Sequence, residues 1–558
     1  MAAAAVAPGI VPLCKNDTYG TVAPQDQHPS KEQDSKVKKY SNEFCNHFEL
    51  QSPWDQIYHQ IDTAPVRRLE CEMDDLVVFG TIPETIDGTW YRVHPDSNTL
   101  PPINNPFVDG DGLVSAFRFI KGRVSMKFRY VETERYLLER KARRQLFGRY
   151  RNPFDNHPCV RLANDTTANT NVVYWGGDLL AISERGLPYA VNPDTLETTS
   201  HDPYGGQIAA RTFTAHPKVD PLRDVLVTWS YAAKGLRSRD ICTYAIDQSG
   251  KTTDEFWFKV DKPGWPHDGW ITENWIILAN MPFTVQSDGD MKQPGADHWI
   301  YVPGQAQEFL VAPRHPDTPR APGWKQGEFR KYTTDHGLIV HTGGAWEEAD
   351  GKLVLESHWD TYNLFYFWNP DDFKPPEQPT GDWVRWTIDL GQPDGTKLPP
   401  PKILYSGLTE FPSVDERFLS RKTKIVFFAT IPPEDFMRID GIVKLNTETM
   451  ESEKFLAAEN GSFAEPVFIP RSNDAPEGDG WVLFYSTRPT STKGELILLD
   501  TADFSRPVAI IQLPFASSFQ VHGNWVPNPR PGQPLPPLGK PVKDVRPSVK
   551  YSPLAKFQ

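Results

Sequence analysis

Cysteine is scarce in this chain, with five residues among 558. They are Cys14, Cys45, Cys71, Cys159 and Cys242, and no two of them have CxxC spacing. This distribution argues against a disulfide framework and against a cysteine-based zinc site. Scattered single cysteines are typical of proteins in a reducing compartment, so the sequence predicts a cytoplasmic location.

Long basic runs and long apolar runs are also missing. The formal net charge is −13, and no stretch of Lys and Arg forms a basic stripe, so we expect no nucleic-acid partner. The apolar opening, MAAAAVAPGIVPLC, has no basic flank, is broken by Pro and Gly, and is too short to span a bilayer. The sequence therefore predicts no integral membrane segment and a small molecule as the partner.

Helical periodicity is limited to VETERYLLERKARRQLFGRY, which predicts a helix over Val131–Tyr150. Elsewhere, short β-branched and aromatic runs such as NVVYW and KIVFFATI alternate with Gly, Pro, Asn and Asp. Many short strands over roughly 480 residues, without a linker, favour one large all-β propeller over several sandwiches. No tight repeat is visible, so the blades are expected to be irregular.

Composition divides the chain into three parts. Residues 1–47 include the polar stretch QDQHPSKEQDSKVKKY and are predicted to be a disordered N-terminal tail. Residues 48–530 are predicted to form the single propeller domain. Residues 531–558 are rich in proline and are predicted to be an extended C-terminal tail.

The fourteen histidines include four that stand beside small and apolar residues at predicted strand starts: His216, His267, His341 and His522. Separations of 51, 74 and 181 positions exclude a local zinc-finger clip, so a shared site requires ligands from distant elements. Four imidazoles without a thiolate would suit iron, copper, nickel or zinc. Four other histidines adjoin Pro, Asp or Asn and are predicted to lie at the surface: His157, His201, His298 and His315.

Three glutamates occupy apolar strand contexts, namely Glu184 in LLAISERGLP, Glu410 in LTEFPSVDER and Glu465 in FAEPVFIP. An unpaired carboxylate in such a place is costly, so each needs a donor. Histidine ligands of a metal commonly donate their outer ring N–H to a carboxylate. We therefore expect these glutamates to orient the histidine rings.

Seven separated motifs carry a specific resemblance: NTNVVYW, AHPKVDP, HDGWITENWIIL, HTGGAWEE, EFPSVD, EPVFIP and HGNW. In this order they resemble the carotenoid cleavage oxygenases, a family of non-haem iron(II) dioxygenases, over about Leu69 to Val526. The resemblance implies a seven-bladed propeller with a dome of helices and loops over the active site. It also implies one Fe(II) per chain, bound by His216, His267, His341 and His522, with dioxygen as co-substrate. Each of these histidines except His216 would have one of the three glutamates behind it. The aromatic cluster YNLFYFWNPDDF, residues 362–373, would wall the substrate tunnel.

Two further stretches, ARRQLFGRYRNPF and TTANTNVVYWGGDLLAISE, resemble the stilbene-cleaving branch of the family, the lignostilbene and resveratrol dioxygenases. In that branch a tyrosine and a lysine hold the phenolic oxygen of the substrate. The tyrosine matches Tyr150, whereas Ser183 stands where the lysine is expected. Thr170 matches a residue that restricts access to one metal position, and Gly344 replaces an asparagine found in many relatives.

The resemblance implies insertion of both atoms of O₂ across the C=C bond of a hydroxylated stilbene or related phenylpropanoid, which gives two aldehydes. An apocarotenoid is the alternative substrate, because Ser183 cannot supply the ammonium charge that stabilises a phenolate. A propeller that only binds an apolar ligand is the alternative of another class, and a missing ligand histidine would mark it. The sequence leaves the scissile bond and the oligomeric state open.

Overall fold

The structure, a computed structural model, describes residues 69–99, 105–293, 295–365, 368, 380–435, 438–458, 461–488, 493–517 and 520–530. The predicted tails, residues 1–47 and 531–558, lie outside the described residues. Residues 48–68 of the predicted propeller domain also lie outside them. Their boundaries therefore stay predictions.

Short strands make up nearly half of the described chain, because its β-branched and aromatic runs are interrupted every few residues by turn residues. In chain order the first strands are β1 (Cys71–Met73), β2 (Val77–Gly80), β3 (Gly88–Asp96), β4 (Asp111–Ile120), β5 (Arg123–Tyr130), β6 (Asn171–Trp175), β7 (Asp178–Ile182), β8 (Tyr189–Val191), β9 (Thr198–His201), β10 (Lys218–Asp220), β11 (Val225–Ser230), β12 (Asp240–Asp247) and β13 (Thr252–Lys259).

The middle of the chain contributes β14 (Trp265–Ile271), β15 (Trp275–Met281), β16 (Phe283–Val285), β17 (Trp299–Tyr301), β18 (Ala306–Pro313), β19 (Arg330–His336), β20 (Thr342–Glu347), β21 (Leu353–Asp360), β22 (Gly381–Ile388) and β23 (Lys402–Tyr405). The last strands are β24 (Leu408–Val414), β25 (Ile425–Ile431), β26 (Gly441–Asn446), β27 (Ser452–Leu456), β28 (Ser462–Phe463), β29 (Val467–Pro470), β30 (Gly480–Thr487), β31 (Glu495–Asp500), β32 (Asp503–Gln512) and β33 (Gly523–Pro527).

Seven blades are built from these strands. Blade 1 contains β1, β5, β4, β3 and β33, blade 2 contains β6–β9, and blade 3 contains β10–β13. Blade 4 contains β14, β15, β18 and β19, with β16 and β17 as a separate hairpin. Blades 5 and 6, β20–β23 and β24–β27, are joined through one parallel pair, Gly381 with Leu408. Blade 7 contains β28–β32 and β2. The predicted seven-bladed propeller is confirmed.

Both ends of the described chain take part in closing the ring. The last strand, β33, pairs with β3 so that Trp90 lies opposite Trp525. Near the other end, β2 pairs with β32, with Val78 opposite Ile511. Blade 1 therefore holds the final strand of the ring, and blade 7 holds one of its first.

The core is divided among the interfaces between neighbouring blades. In β6, Val172 and Tyr174 pack towards blade 1, whereas Val173 and Trp175 pack towards blade 3, since side chains alternate along a strand. Such apolar clusters lie between blades 1 and 2, 2 and 3, 3 and 4, 4 and 5, 5 and 6, and 6 and 7. A further cluster, which includes Trp90 and Leu483, joins blades 7 and 1. The ring is thus sealed by packing at every interface.

The main helix is shorter than the sequence predicts. Helix α1 spans Glu134–Ala142, and Thr133 caps it by accepting from the amide of Tyr136. Arg143 adopts a left-handed conformation, and the buried carboxylate of Glu139 accepts from the amides of Leu146 and Phe147. The prediction of helix up to Tyr150 is therefore wrong, because a side chain has taken amides that a longer helix would use.

A second helix, α2 (Asp288–Met291), is a single turn that the sequence analysis did not predict. Within the described residues, 3₁₀ segments occur at Phe107–Asp109, Pro158–Val160 and Glu416–Phe418. Neither α1 nor α2, in the described part of the chain, has the length and hydropathy that a bilayer crossing requires.

Three insertions meet over one end of the ring. The segment between β5 and β6 contacts the one between β16 and β17, because Arg149 forms an ion pair with Asp297 at 2.5 Å. It also contacts the segment after β21, where the rings of Tyr150 and Trp368 lie 5.5 Å apart. These insertions form the expected dome, although residues 366–367 and 369–373 of its predicted aromatic cluster lie outside the described residues.

Candidate metal centre

Four imidazoles from four different blades converge at the ring axis. His267 lies in β14 of blade 4, and the other three directly or closely precede inner strands: His216 before β10, His341 before β20 and His522 before β33. All four side chains are buried, and one ring nitrogen from each lies within 4.8 Å of the others. Ring centroids are 4.5 to 5.3 Å apart in the contacting pairs. The fold therefore brings together all four histidines that the sequence singled out.

Each of three rings is fixed by one glutamate. The Nδ1 atom of His267 lies 2.7 Å from Glu184, that of His341 lies 2.6 Å from Glu410, and that of His522 lies 2.7 Å from Glu465. The Nδ1 proton donates to the carboxylate in each pair, so Nε2 keeps its lone pair. His216 has no such glutamate among the described residues, which matches the expected arrangement.

The electrostatics keep the carboxylates charged but differ among the imidazoles. Burial opposes protonation of His267, but Glu184 outweighs it and raises its pKa, whereas burial lowers the pKa of His341. Burial and the surrounding histidines hold the pKa of His216 well below its usual value. Burial opposes ionisation of Glu410, but the neighbouring His341 and His358 outweigh burial and hold the pKa of Glu410 well below the usual value. The pKa of Glu184 and of Glu465 is lowered in the same way, against burial, by His267 and His522.

The donor set fits a metal ion. Nε2 of His216 and Nε2 of His267 are 3.0 Å apart, which is about the separation of two nitrogens that bind one ion at roughly 2.1 Å and at right angles. Nε2 of His341 is buried and has no hydrogen-bond partner among the described residues. A buried point that collects unpaired lone pairs is stabilised by a cation.

Asp268 links three of the ligand-bearing segments and was not predicted. One carboxylate oxygen lies 2.8 Å from Lys218 Nζ, and the other accepts from the amide and the hydroxyl of Thr342 at 2.8 and 2.9 Å. These residues follow His267, His216 and His341 by one or two positions. The HD pair in HDGW was visible in the sequence, but nothing local indicated its partners.

His358 is a second unpredicted contributor. Its Nε2 atom faces the amides of Val340 and His341 at 2.8 and 3.0 Å, while Nδ1 lies 2.5 Å from Asp360. Two backbone donors favour a lone pair on Nε2 and therefore the Nδ1–H tautomer. His358 thus holds the backbone that carries His341, and its alternating strand context, LESHWD, gave no functional signal.

Asparagines join the remaining strands. Asn171 donates to the carbonyl of Ala215, next to His216, at 2.9 Å. It also accepts from Asn524, two positions after His522, at 3.1 Å. The inner strands of blades 1 to 3 are therefore tied together beside two of the imidazoles.

On the dome side, the centre adjoins an aromatic wall. Trp265, two positions before His267, donates to Glu184 through Nε1 at 3.2 Å. Its ring packs against Trp299, Phe365 and Trp368 at centroid distances of 5.1, 4.7 and 5.0 Å. An apolar, planar molecule suits such a surface.

Tyr150 belongs to this wall. Its ring packs on Trp368, and the guanidinium carbons of Arg151 and Arg185 lie 5.6 and 5.1 Å from its centroid. Burial raises the pKa of the Tyr150 hydroxyl, although Arg151 opposes the shift, so the group stays protonated and can donate. Arg185 pairs with Asp109 and Asp165, whereas Nη1 of Arg151 has no hydrogen-bond partner among the described residues.

The remaining residues singled out in the sequence are Ser183, Thr170 and Gly344. Ser183 is buried, and its hydroxyl has no hydrogen-bond partner among the described residues. Thr170 directly precedes β6 and is half-buried, and its hydroxyl donates to Asn169 at 3.1 Å. A side chain at Gly344 would collide with the hydroxyl of Thr423, so Thr423 fills the space that an asparagine would need.

The prediction of four surface histidines is only partly right. His157 is exposed and His201 is half-buried. His298 and His315 are buried, at 1% and 5% exposure, so the prediction is wrong for both. Their neighbours Asp297 and Arg314 form ion pairs with distant residues, so these segments are packed although their sequences resemble surface loops.

Comparison with known proteins is consistent with this geometry. The family described as retinal pigment epithelial membrane protein matches residues 64–527. The chain is 44% identical to resveratrol cleavage oxygenase 1 of Botryotinia fuckeliana, over 86% of this chain and 87% of that protein. It is 35% identical to isoeugenol monooxygenase of Pseudomonas nitroreducens, over 84% of this chain and 98% of that protein.

Among solved structures, the lignostilbene dioxygenase of Pseudomonas brassicacearum superposes with a TM-score of 0.77 at 36% identity. The match covers 83% of this chain and 97% of that one. With the four-histidine cage at the axis of a seven-bladed ring, these matches establish that the chain belongs to the retinal pigment epithelial membrane protein family, the carotenoid cleavage oxygenases indicated by its motifs.

Proposed function

We propose that this protein is a non-haem Fe(II) dioxygenase that cleaves a C=C bond of a hydroxylated stilbene or related phenylpropanoid and gives two aldehydes. The observation that carries the proposal is the cage itself. Three imidazoles whose Nδ1 protons are held by glutamates direct their lone pairs to one buried point, next to a wall of tryptophan and phenylalanine.

His216, His267, His341 and His522 would hold the metal, and Glu184, Glu410 and Glu465 would keep the rings oriented. Bound iron(II) supplies dioxygen activation, which none of the amino-acid side chains can provide. The carboxylates add negative charge that an all-imidazole set lacks. Thr170 would restrict one position beside the metal.

The aromatic wall would bind the stilbene rings and exclude water from the olefin. Tyr150 would donate its proton to the phenolic oxygen of the substrate. Arg151 places a positive charge beside that tyrosine, and the hydroxyl of Ser183, which has no hydrogen-bond partner among the described residues, would offer a neutral hydrogen bond. Together they favour a phenolic group over an unsubstituted hydrocarbon end.

Resveratrol, isoeugenol and lignostilbene are named as substrates of relatives, and all three are phenols with a conjugated olefin. This supports the choice of substrate class. An apocarotenoid is the second candidate, because Ser183 lacks the charge of the expected lysine and a relative is named a carotenoid cleavage oxygenase. A cytoplasmic location stays a prediction from cysteine usage.

The test combines metal analysis with an aerobic assay on resveratrol, isoeugenol and an apocarotenal. We expect about one iron per chain and aldehydes from the phenolic substrates. Replacing His216→Ala should remove the iron, whereas the matched change His157→Ala, at an exposed histidine, should leave it. Protein without iron would exclude the dioxygenase, and aldehyde from the apocarotenal alone would exclude the phenolic substrate.

A further inference from the structure

A recess with both polar and apolar lining residues reaches the metal centre from the side opposite the aromatic wall. It has a volume of about 290 Å³, and His216 and His522 lie at its inner end. Glu416, Asn473 and Pro527, all exposed, line its mouth. We call this space the axial recess, because its walls come from six of the seven blades or the segments that follow them.

The direction of the strands separates the axial recess from the aromatic wall. Its walls include Lys218, Thr342 and Asn524, each of which follows a candidate ligand by one or two positions. Trp265 in the aromatic wall instead precedes His267. The four histidines therefore stand between the aromatic wall on one side and the axial recess on the other.

The axial recess and the aromatic wall suit different molecules. A divalent cation that leaves water for an apolar passage loses most of its hydration energy, and aromatic carbon cannot replace it. The axial recess offers carboxylates, hydroxyls and amides along its length. An apolar stilbene has the opposite preference.

The charged residues of the axial recess differ in how they are paired. Arg417 forms two bonds with Asp415, at 2.9 and 2.6 Å, and Lys218 is paired with Asp268. Glu465 is engaged by His522 and Arg92. Glu416 is exposed and has no ion pair to a described residue, although desolvation raises the pKa of its carboxyl and Lys218 opposes the shift.

We propose that the metal ion reaches the four histidines through the axial recess, attracted by Glu416, while the organic substrate uses the dome side. The proposal rests on the metal-binding part of the proposed function. It assigns Glu416 a role in the rate of metal uptake and none in holding the bound ion.

Metal uptake by the apo protein tests the role of Glu416. Stopped-flow absorbance would follow Co(II) binding at low ionic strength for wild type, Glu416→Gln and Glu416→Arg. A divalent ion about 10 Å from one carboxylate in water is favoured by roughly fourfold, so we expect uptake to slow about fourfold and tenfold or more, respectively. Salt should reduce both effects. Glu451→Gln, the same change at an exposed site of blade 6, is the control and should load at the wild-type rate.

A second arm distinguishes the two routes. 3,5,4′-Trihydroxybibenzyl resembles a stilbene but has no olefin to cleave, and its binding can be followed by tryptophan fluorescence. Saturating the dome side with it should leave Co(II) uptake unchanged. Slower uptake with the bibenzyl, or wild-type uptake by both Glu416 variants, would overturn the proposed route. Wild-type protein that binds no Co(II) at the four histidines would instead overturn the proposed function.

Discussion

Glu410 lies between two histidine rings, since one of its oxygens accepts from His341 and the other lies 3.0 Å from Nε2 of His358. Glu184 and Glu465 each orient a ring, and Glu465 also accepts from Arg92 and from the amide of Gly523. At the scale of single residues, the candidate centre depends on carboxylates as much as on imidazoles.

Glu410→Gln should weaken metal binding about 10- to 100-fold, because the amide can still accept from His341 but carries no charge. Competition with a chelator of known affinity measures the change. Glu356→Gln is the matched control, since Glu356 is equally buried but pairs with Arg385, away from the ligands. Equal affinities in the two variants would argue against the role given to Glu410.

Ser183→Lys should raise kcat/KM for 4-hydroxystilbene by about 3- to 10-fold, because an ammonium group stabilises a phenolate better than a hydroxyl does. Ser183→Ala and the substrate 4-methoxystilbene serve as controls, and neither should show the gain. If the lysine variant turns over 4-hydroxystilbene no faster than wild type, Ser183 does not lie beside the phenolic oxygen or Arg151 already supplies the charge there.

At the scale of elements, the centre is held by contacts between segments of different blades. Asp268 connects the strand of His267 with Lys218 of β10 and Thr342 of β20. Asn171 connects β6 with the segments around Ala215 and Asn524. Each of these two residues contacts side chains or backbone within two positions of a candidate ligand, so a shift of these blades would move the rings.

Asp268→Asn should lower the free energy of unfolding by about 1 to 3 kcal/mol, since it leaves Lys218 without its partner in a largely buried place. The apparent metal affinity should fall as well. Urea denaturation of apo protein and chelator competition measure the two effects. Asp335→Asn breaks an exposed pair with Lys397 and should change stability by no more than about 0.5 kcal/mol. A loss of the same size in both variants would contradict the role of Asp268.

At the scale of the whole molecule, the ring depends on the pairing of β33 with β3 and on the cluster between blades 7 and 1. A chain ending at residue 530 keeps β33, whereas a chain ending at 522 loses it. The longer form should bind metal and unfold cooperatively, as expected if 531–558 is a tail. The shorter form should lose the cooperative transition because β3 becomes an open edge. Near-UV circular dichroism during heating distinguishes them, and a cooperative, metal-binding shorter form would show that closure by β33 is dispensable.

Sequence reasoning was strongest where chemistry is unusual in its local context. Imidazoles among small residues and carboxylates in apolar strands stand out, so His216 and Glu410 could be found without a structure. It was weakest for residues whose interaction partners are distant in the sequence. Asp268, His358 and Asn171 are ordinary residues until the fold places them beside a ligand, and α1 ended early because Glu139 reached amides further along the chain.

The sequence by itself determined the all-β class, the family and the set of histidines and glutamates, because strand periodicity and ordered motifs are local properties. Only the tertiary structure decided how those residues meet. Closure of the ring brings ring nitrogens of residues up to hundreds of positions apart within 4.8 Å of one another, and it places the aromatic wall on one side of them and the axial recess on the other. Such proximity is a property of the closed ring, and no single segment of the chain contains it.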